Sequence, residues 1–363
     1  ARRCCRCKRR IITTRVANMN IIRPITKADY NALKEIAVES GIGFTSLPVN
    51  DELLQRKIDR AETAFNKPNV TEPGDESYLF VMEDTTSGTV VGTTGIEAAV
   101  GIDDAFYHYH LSKVVHASRE LNIHNTVDIL TFCNDYTGVT EICTLFLREQ
   151  ARGGINGRFL SKVRFLFMME HRERFSETVI AEMRGVSDEE GRSPFWEWLE
   201  THFFSMDFPT ADYLTGIGNK VFIAELMPKY PIYVNLLSKE AQEVIGEVHE
   251  KTRPALQLLE EEGFSCRGYV DIFDAGPTVE ANLSHIRTAQ SSVKLPVFID
   301  DNAAALGQTH YIINTSISDF RAVATEMTVS EEKQVAVLSR QAAAALNVKE
   351  GEHVRFAPVT YRD

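Results

Sequence analysis

The hydrophobic and polar positions in the first third of the chain alternate between helix and strand patterns. Residues 19–40, "MNIIRPITKADYNALKEIAVES", begin as an apolar strand, and Leu33, Ile36 and Ala37 then recur at the spacing of one helix face. Thr26, with Asp29 three residues later, predicts the cap of that helix. Further along, "DELLQRKIDRAETAF" predicts an amphipathic helix, and "SYLFVMED", "TTSG" and "VVGTTGIEAAV" predict an antiparallel hairpin.

A turn rich in glycine and arginine follows an apolar strand in the middle of the chain. Residues 142–160 are "ICTLFLREQARGGINGRFL", and a long helix is predicted through "SKVRFLFMMEHRERF". Glycines let a backbone approach a ligand, and the first turn of a helix offers unpaired amide hydrogens and the positive end of its dipole. The turn therefore predicts a phosphate or pyrophosphate site, with a simple strand–helix turn carrying solvated arginines as the alternative. It matches neither the Walker loop nor the dinucleotide glycine pattern.

A short internal repeat predicts the organisation of the centre. "VIAEMR" at 179–184 returns as "VIGEVH" at 244–249, and each is predicted to be a strand followed by a loop and a proline-led helix. This order predicts two related α/β halves with mixed sheets. After about residue 284 the segments become short and strand-like. We therefore expect residues 1–18 to form an extension outside the fold, 19–215 and 216–283 to form the two halves, and 284–363 to form a small, mostly β C-terminal domain.

Composition and charge narrow the class of protein. The chain has 363 residues and a formal net charge of -12, which argues against a general nucleic-acid or membrane-surface binder because a polyanion would be repelled. The first eighteen residues differ, with seven Lys or Arg and no acid, and a targeting or metal role is the alternative for them. Cys133, Cys143 and Cys266 make no disulfide framework, which favours the cytoplasm. No His or Cys spacing predicts a metal site.

The order of strand, arginine–glycine turn, long helix, strand and proline-led helix resembles the N-acyltransferase superfamily that uses acyl-coenzyme A. From Met19 onward the chain resembles, more closely, the arginine N-succinyltransferase family, in the stretches "FTSLP", "VHASRELN", "CTLFL", "SPFW", "FFSMDF", "FIAELMPK", "PIY" and "DIFDAGPT". Ile155 replaces a glycine of the superfamily turn, and Tyr136 and Tyr230 stand where the family commonly has His. The resemblance implies that Leu145, Phe146 and Leu147 line the pantetheine of succinyl-CoA, and that Arg152, Asn156 and Gly157 lie at its pyrophosphate.

A group that titrates near neutrality is expected beside the thioester, because the attacking amine must lose a proton and the leaving thiolate gains one. His249 ends "VIGEVH", and the resemblance matches it to the family's proton donor. Glu247 would share its strand face and orient the ring. In the first copy Arg184 and Glu182 occupy the corresponding positions. We expect Arg184 to pair with the succinyl carboxylate, and Glu182 or Glu247 with a guanidinium, structural ion pairs being the alternative.

The resulting hypothesis is direct transfer of succinyl from succinyl-CoA to the α-amine of L-arginine. His249 acts as general acid and base, and neither a metal, a permanent cofactor nor a covalent intermediate is required. His116 in "VHAS" is a further candidate for substrate contact, and an oligomer is possible. Two alternatives remain, namely an acyltransferase that uses another acyl-CoA or a basic amino acid such as ornithine, and a non-catalytic sensor of CoA or an amino acid.

Overall fold

The computed structural model describes residues 19–41, 44 and 46–360, so the predicted extension at 1–18 lies outside the described residues. The strands are β1 (Asn20–Pro24), β2 (Ser77–Asp84), β3 (Thr89–Glu97), β4 (His108–Ser118), β5 (Ile123–Cys133), β6 (Thr140–Leu147), β7 (Thr178–Glu182), β8 (Ile232–Tyr233), β9 (Ser265–Val270), β10 (Pro277–Asn282), β11 (Val293–Ile299), β12 (Gln308–Asn314), β13 (Ala322–Ser330), β14 (Val335–Leu338) and β15 (His353–Pro358). The α-helices are α1 (Tyr30–Ser40), α2 (Asp51–Asn66), α3 (Asn156–Glu170), α4 (Pro194–Leu199), α5 (Phe208–Gly216), α6 (Val221–Leu226), α7 (Lys239–Glu243), α8 (Arg253–Glu261), α9 (Arg287–Ser291), α10 (Asp301–Ala304) and α11 (Arg340–Ala345). A π-helical turn, Glu200–Phe204, continues α4.

The strands of the described residues form one continuous hydrogen-bonded sheet. Its order is β12-β15-β11-β14-β13-β1-β2-β3-β6-β7-β10-β9-β4-β5-β8. Most neighbours are antiparallel, whereas β6 and β7 are parallel, as are β11 and β14. Helices and a mixed sheet in one chain confirm the predicted α/β class.

The predictions for the first third are confirmed. The side chain of Asp29 accepts hydrogen bonds from Thr26 N at 2.8 Å and Thr26 Oγ1 at 2.9 Å, which forms a capping box before α1. Leu33, Ile36 and Ala37 form the buried face of that helix. The predicted second helix is α2, and β2 and β3 form the predicted hairpin.

The strand predicted at residues 244–249 is wrong. Helix α7 ends at Glu243, and the following residues form a turn in which Gly246 has a φ of 77°, a left-handed conformation that breaks an extended run. A single antiparallel bridge then joins Val248 to Gly185. The repeat consequently keeps its proline-led helices, α4 and α8, but loses its second strand. The division into halves at residue 215 stays a prediction.

A buried ion pair joins α3 to the end of α8 and to α9. Glu262 is 1% exposed and accepts from Lys162 Nζ at 2.9 Å. The same carboxylate accepts from Thr288 N at 2.7 Å and from Thr288 Oγ1 at 3.0 Å. Both of its oxygens are therefore satisfied, and three separate helices are held around one charge.

The C-terminal strands are attached to the N-terminal strand. β13 pairs with β1 through Ile21 opposite Val323, and β1 pairs on its other side with β2. β1 is therefore an internal strand of the sheet. None of the helices in the described part of the chain is long and apolar enough to cross a membrane.

Candidate active site

The cleft opens where β6 and β7 separate. These parallel strands pair only at Thr140 with Val179 and at Glu141 with Ile180, after which β6 keeps β3 as its partner on one side. A cleft of about 1700 Å³ fills the gap. We call the point where the two strands part, at Glu141, the vertex of the cleft. From the vertex one arm of the cleft follows β6 to the glycine turn, and a second arm follows β7 to Arg184 and the segment that contains His249.

A bulge in β6 directs main-chain groups of this strand into the cleft. Thr144 has a φ of 53°, the register with β3 shifts there, and Thr93 Oγ1 donates to Thr144 O at 2.8 Å. Arg148 N donates to Val91 O on β3 at 2.9 Å. Because hydrogen-bonding direction alternates along an antiparallel pair, the backbone groups of Leu145 and Leu147 point away from β3. Leu145, Phe146 and Leu147, the predicted pantetheine residues, all line the cleft.

The glycine turn connects the end of β6 to α3. Gly153 and Gly154 have φ values of 110° and 57°, so the turn depends on conformations that glycine adopts without strain. Arg152 Nε donates to Leu147 O at 3.0 Å and fixes the turn to the strand end. The first helical bond runs from Phe159 N to Ile155 O, which leaves the preceding amide hydrogens of the first turn without helical partners. Arg152 and Gly157, which were predicted to lie at the pyrophosphate, line the cleft together with Gly153, Gly154 and Arg158.

The side chain of Asn156, a residue predicted to lie at the pyrophosphate, is bonded within the protein. Its Nδ2 donates to Ala151 O at 3.0 Å, and its Oδ1 accepts from Asn20 Nδ2 at 3.0 Å. It is also absent from the cleft wall. The side chain therefore braces the turn against β1, because both of its polar atoms are already used within the protein.

His249 and Arg184 are neighbours on the second arm. His249 N donates to Arg184 O at 2.9 Å, next to the bridge between Gly185 and Val248. The imidazole Nδ1 accepts from Lys251 N at 3.1 Å, so the neutral ring carries its proton on Nε2. Burial, followed by the positive charge of Arg184, lowers the pKa of His249 below its usual value.

Arg184 is half-buried and only partly paired. Its Nη2 donates to Ser187 Oγ at 2.8 Å, whereas its Nε is buried without a hydrogen-bond partner in the described residues. Burial lowers the pKa of Arg184, and the carboxylates of Asp274 and Asp212 oppose that shift. The guanidinium therefore has bonding capacity left for a ligand in the cleft.

The turn after β9 holds the end of β7 in place. Asp274 accepts from Gly185 N at 2.6 Å and from Gly276 N at 2.8 Å. A Cβ on Gly185 would lie 2.5 Å from Asp274 O, so only glycine fits. Burial raises the pKa of Asp274, and the nearby Asp271 raises it further.

Three titratable side chains gather at the vertex of the cleft. His108 is 0% exposed, and its Nε2 lies 3.0 Å from Glu182 Oε1. Desolvation lowers the pKa of His108 to about 4 and raises the pKa of Glu182 to about 8, the second shift being reinforced by Asp271. Glu182 is exposed and lines the cleft. Desolvation, together with Glu182 and Glu97, also raises the pKa of Glu141 to about 8.

Two predicted substrate residues differ in their placement. Glu247 lines the cleft and is exposed there, on a turn rather than on a strand face. His116 does not line the cleft. It lies exposed on the β4–β5 hairpin, where its ring stacks on Tyr233 at 6.0 Å between centroids.

The vertex contains residues that the sequence patterns did not single out for chemistry. Glu141 precedes the apolar run of β6, and His108 belongs to a segment rich in His. Arg164 interrupts the apolar face of α3 and also lines the cleft. In each case the available signal was a charged or titratable residue inside a predicted strand or helix or beside an apolar run.

Metal and thiol chemistry find little support in the residues that the structure describes. They contain no group of three or more His, Cys, Asp or Glu that could hold a metal ion. Cys143 borders the cleft, but burial raises the pKa of its thiol far above neutrality, so the thiolate needed for acyl transfer is disfavoured. The cleft thus offers amide hydrogens and guanidinium groups to an anion, carboxylates to a cation, and one imidazole.

Comparison with known proteins identifies the family. A family model described as the arginine N-succinyltransferase beta subunit matches residues 20–288, and the model of that subunit's C-terminal domain matches residues 293–358. Arginine N-succinyltransferase of Yersinia pestis (strain Pestoides F) is 46% identical over 351 residues, which cover 94% of this chain and 99% of that protein. Arginine N-succinyltransferase subunit beta of Pseudomonas aeruginosa is 54% identical over 275 residues, which cover 76% of this chain and 80% of that one.

A solved structure shows the same fold. Arginine/ornithine succinyltransferase subunit AI from Pseudomonas aeruginosa superposes with a TM-score of 0.86 at 37% identity, covering 95% of this chain and all of that one. The two family models, the two relatives and this structure together show that the chain belongs to the arginine N-succinyltransferase family of acyltransferases.

Proposed function

We propose that the protein transfers the succinyl group of succinyl-CoA to the α-amine of L-arginine, in the cytoplasm and as a step of arginine breakdown. The main support is that one cleft is lined both by the glycine turn and by His249. An acyl carrier held at the turn can therefore present its reactive carbon to the imidazole. The names of the relatives favour arginine as acceptor and succinyl as the transferred group.

The donor would lie along β6. Its pyrophosphate would meet the unpaired amide hydrogens at the start of α3 and the charges of Arg152 and Arg158. Its pantetheine amides would bond the backbone groups of Leu145 and the N–H of Leu147, which point away from β3, whereas Leu147 O already accepts from Arg152. Main-chain amides near the bulge at Thr144 would then stabilise the oxyanion as the amine attacks the thioester carbon.

His249 would control the protons. Its lowered pKa keeps the ring neutral near pH 7, so that it can accept the proton released as the amine forms the new C–N bond. The resulting imidazolium would return this proton to the sulfur as the C–S bond breaks and CoA leaves. Because Nε2 already carries the proton of the neutral ring, the proton from the amine would enter at Nδ1. The bond from Lys251 N therefore orients the ring before transfer and is broken while the imidazolium exists.

The acceptor would place its cationic side chain at the carboxylates. Glu182, with Glu141 beside it at the vertex and Glu247 nearer the rim, would hold the guanidinium of L-arginine. Arg184, which borders His249, would meet a carboxylate of a substrate. The sequence assigned it the succinyl carboxylate, and this assignment stays a prediction.

A thiol-release assay tests the function. Succinyl-CoA and acetyl-CoA are each offered with L-arginine, L-ornithine or L-lysine, and CoA is quantified with a thiol reagent. We expect the highest kcat/KM for succinyl-CoA with L-arginine. A higher value for ornithine or acetyl-CoA would support the alternative acyltransferase, and CoA binding without thiol release from any pair would support the sensor.

Replacing Arg152 by alanine should weaken CoA binding by roughly tenfold, since a charged hydrogen-bond donor at the pyrophosphate is lost. The measurement is the dissociation constant of CoA by calorimetry. Arg172→Ala is the matched control, because Arg172 follows the other end of α3 and does not line the cleft. Equal affinities for the two variants would remove Arg152 from the proposed donor site.

Binding of L-arginine should strengthen as the pH rises from 7 to 9. A carboxyl group whose pKa is raised to about 8 is mostly neutral below that pH and becomes charged above it, and Glu182 must be charged to hold a cation. The kcat/KM for L-arginine is compared between wild type and Glu182→Gln. The amine of the substrate ionises identically in both, so a steeper rise in wild type isolates Glu182, and parallel profiles would contradict its role.

A further inference from the structure

Arg164 is a buried arginine in the wall of the cleft. It lies on α3, and the whole residue is 2% exposed. Its only hydrogen bonds in the described chain return to its own helix, from Nε to Ser161 O and from Nη2 to Ser161 Oγ, both at 3.0 Å. Both acceptors are neutral, and Nη1 has no partner among the described residues.

The charge of Arg164 is therefore uncompensated. Within the described residues, no carboxylate lies within ion-pairing distance of its guanidinium. Burial lowers the pKa of Arg164 to about 10, so the side chain stays protonated at neutral pH. A buried charge is stable only when paired or hydrogen-bonded, and removing it from water without a counter-charge is costly. A site with this property is complete only when an anion occupies it.

The position of Arg164 along the cleft identifies which anion it can meet. A Cβ on Gly92 would contact both Leu147 and Leu160, so the first turns of α3 lie beside the end of β6. One turn further along α3, Arg164 lines the same cleft as Cys143, which lies four residues before Leu147 on β6, and Cys143 raises the pKa of Arg164. Helix α3 thus runs back along β6. A carrier held at the helix start and extended along Leu147 and Leu145 brings the end of its acyl group to Arg164.

We propose that Arg164 binds the carboxylate at the far end of the acyl group and thereby selects dicarboxylic acyl donors over monocarboxylic ones. The guanidinium has the planar donor geometry that suits a carboxylate, and its free Nη1 is available for this contact. The inference rests on the proposed function for the orientation of the donor. It names a specificity-determining residue for the acyl chain that is distinct from His249 and from the glycine turn.

This assignment competes with the prediction for Arg184. The negative charges of Asp274 and Asp212 act to raise the pKa of Arg184, and its guanidinium donates a hydrogen bond to Ser187. Part of its positive charge is therefore already compensated. It also adjoins His249, where the amino acid must place its reacting amine. Arg184 is therefore the better partner for the α-carboxylate of the acceptor, and Arg164 for the acyl group.

The test compares succinyl-CoA with butyryl-CoA, whose acyl chain has the same number of carbons but ends in a methyl group. We expect wild type to prefer succinyl-CoA at least tenfold in kcat/KM with L-arginine. Arg164→Met should lower kcat/KM for succinyl-CoA about 10–100-fold, because a charged hydrogen-bonding partner is lost. The value for butyryl-CoA should fall less than threefold. An equal loss for both donors would overturn the proposal.

Two matched variants separate specificity from folding. Arg174 is also buried, donates to Tyr78 Oη at 3.0 Å and to Lys67 O at 2.8 Å, and does not line the cleft. Arg174→Met should therefore leave the succinyl-to-butyryl ratio unchanged even if it lowers stability. Arg184→Ala should raise the KM for L-arginine and keep the ratio. A ratio that collapses in Arg184→Ala and survives in Arg164→Met would overturn the proposal in favour of Arg184.

Binding measurements keep the inference independent of turnover. Dissociation constants of succinyl-CoA, butyryl-CoA and CoA are measured by calorimetry on wild type and on Arg184→Ala. If Arg164→Met does not fold, a preference for succinyl-CoA that survives in Arg184→Ala still supports Arg164, and one that is lost there overturns the proposal. No preference for succinyl-CoA over butyryl-CoA would overturn the inference. Preferential binding with no thiol release in the presence of L-arginine would instead contradict the proposed function and leave the Arg164 subsite standing.

Discussion

Replacing His249 by alanine should lower kcat for succinyl transfer by roughly 100- to 10,000-fold, the range expected when a general acid–base group is lost. The KM values for both substrates should change little, because the glycine turn and the carboxylates at the vertex remain. The measurement is steady-state thiol release, with kcat and KM determined separately for each substrate. CoA affinity by calorimetry checks that the donor site is intact.

A histidine outside the cleft provides the control for this variant. His202 lies on the π-helical turn after α4, where its Nδ1 is 2.7 Å from Trp198 O, and it does not line the cleft. His202→Ala should keep wild-type kcat. The pH profile of kcat adds a second readout. Because the pKa of His249 is lowered, the ring becomes protonated, and stops acting as a base, only at acidic pH. Near-wild-type activity in His249→Ala would remove this residue from the mechanism.

Replacing Glu262 by alanine should destabilise the fold by about 3–5 kcal/mol, the cost of removing one member of a buried ion pair. Lys162 would remain buried in α3, and Thr288 would lose both of its contacts to the carboxylate. Urea unfolding followed by circular dichroism measures the change. Because the pair holds α8 against α3, the same variant should also weaken CoA binding.

A double replacement distinguishes the electrostatic cost of losing Glu262 from the cost of lost packing. Changing Lys162 to Met and Glu262 to Leu removes both charges and keeps most of the volume, so it should recover much of the lost stability. A double variant that is less stable than Glu262→Ala would show instead that the ion pair itself is strongly stabilising. Either measurement is independent of catalytic activity.

The local elements of the first third were predictable because their signals are local. A capping box at Thr26 and Asp29 and an apolar face at helical spacing do not depend on distant contacts. The turn after Leu147 was predictable for the same reason, since its glycines and arginines are contiguous. Family membership followed from longer stretches, and the comparisons confirm it.

Tertiary context determines what the sequence could not predict. The apolar pattern of 244–249 was compatible with a strand, but the left-handed Gly246 and the bridge to Gly185 make it a turn. His108 gives no sign in the sequence of its contact with Glu182, because the two residues lie on different strands. Arg164 has unused hydrogen-bond donors because it is buried and bonds only to its own helix. A single sequence does not show which of its charged residues are buried.

The position of β1 has a consequence for how the protein unfolds. This strand bonds β2 on one side and β13 on the other, so the segments matched by the two family models share an uninterrupted ladder of hydrogen bonds. Removing everything after residue 292 would leave a bare strand edge, the kind of surface on which chains aggregate. The two segments are thus expected to melt in a single cooperative transition rather than as separable modules.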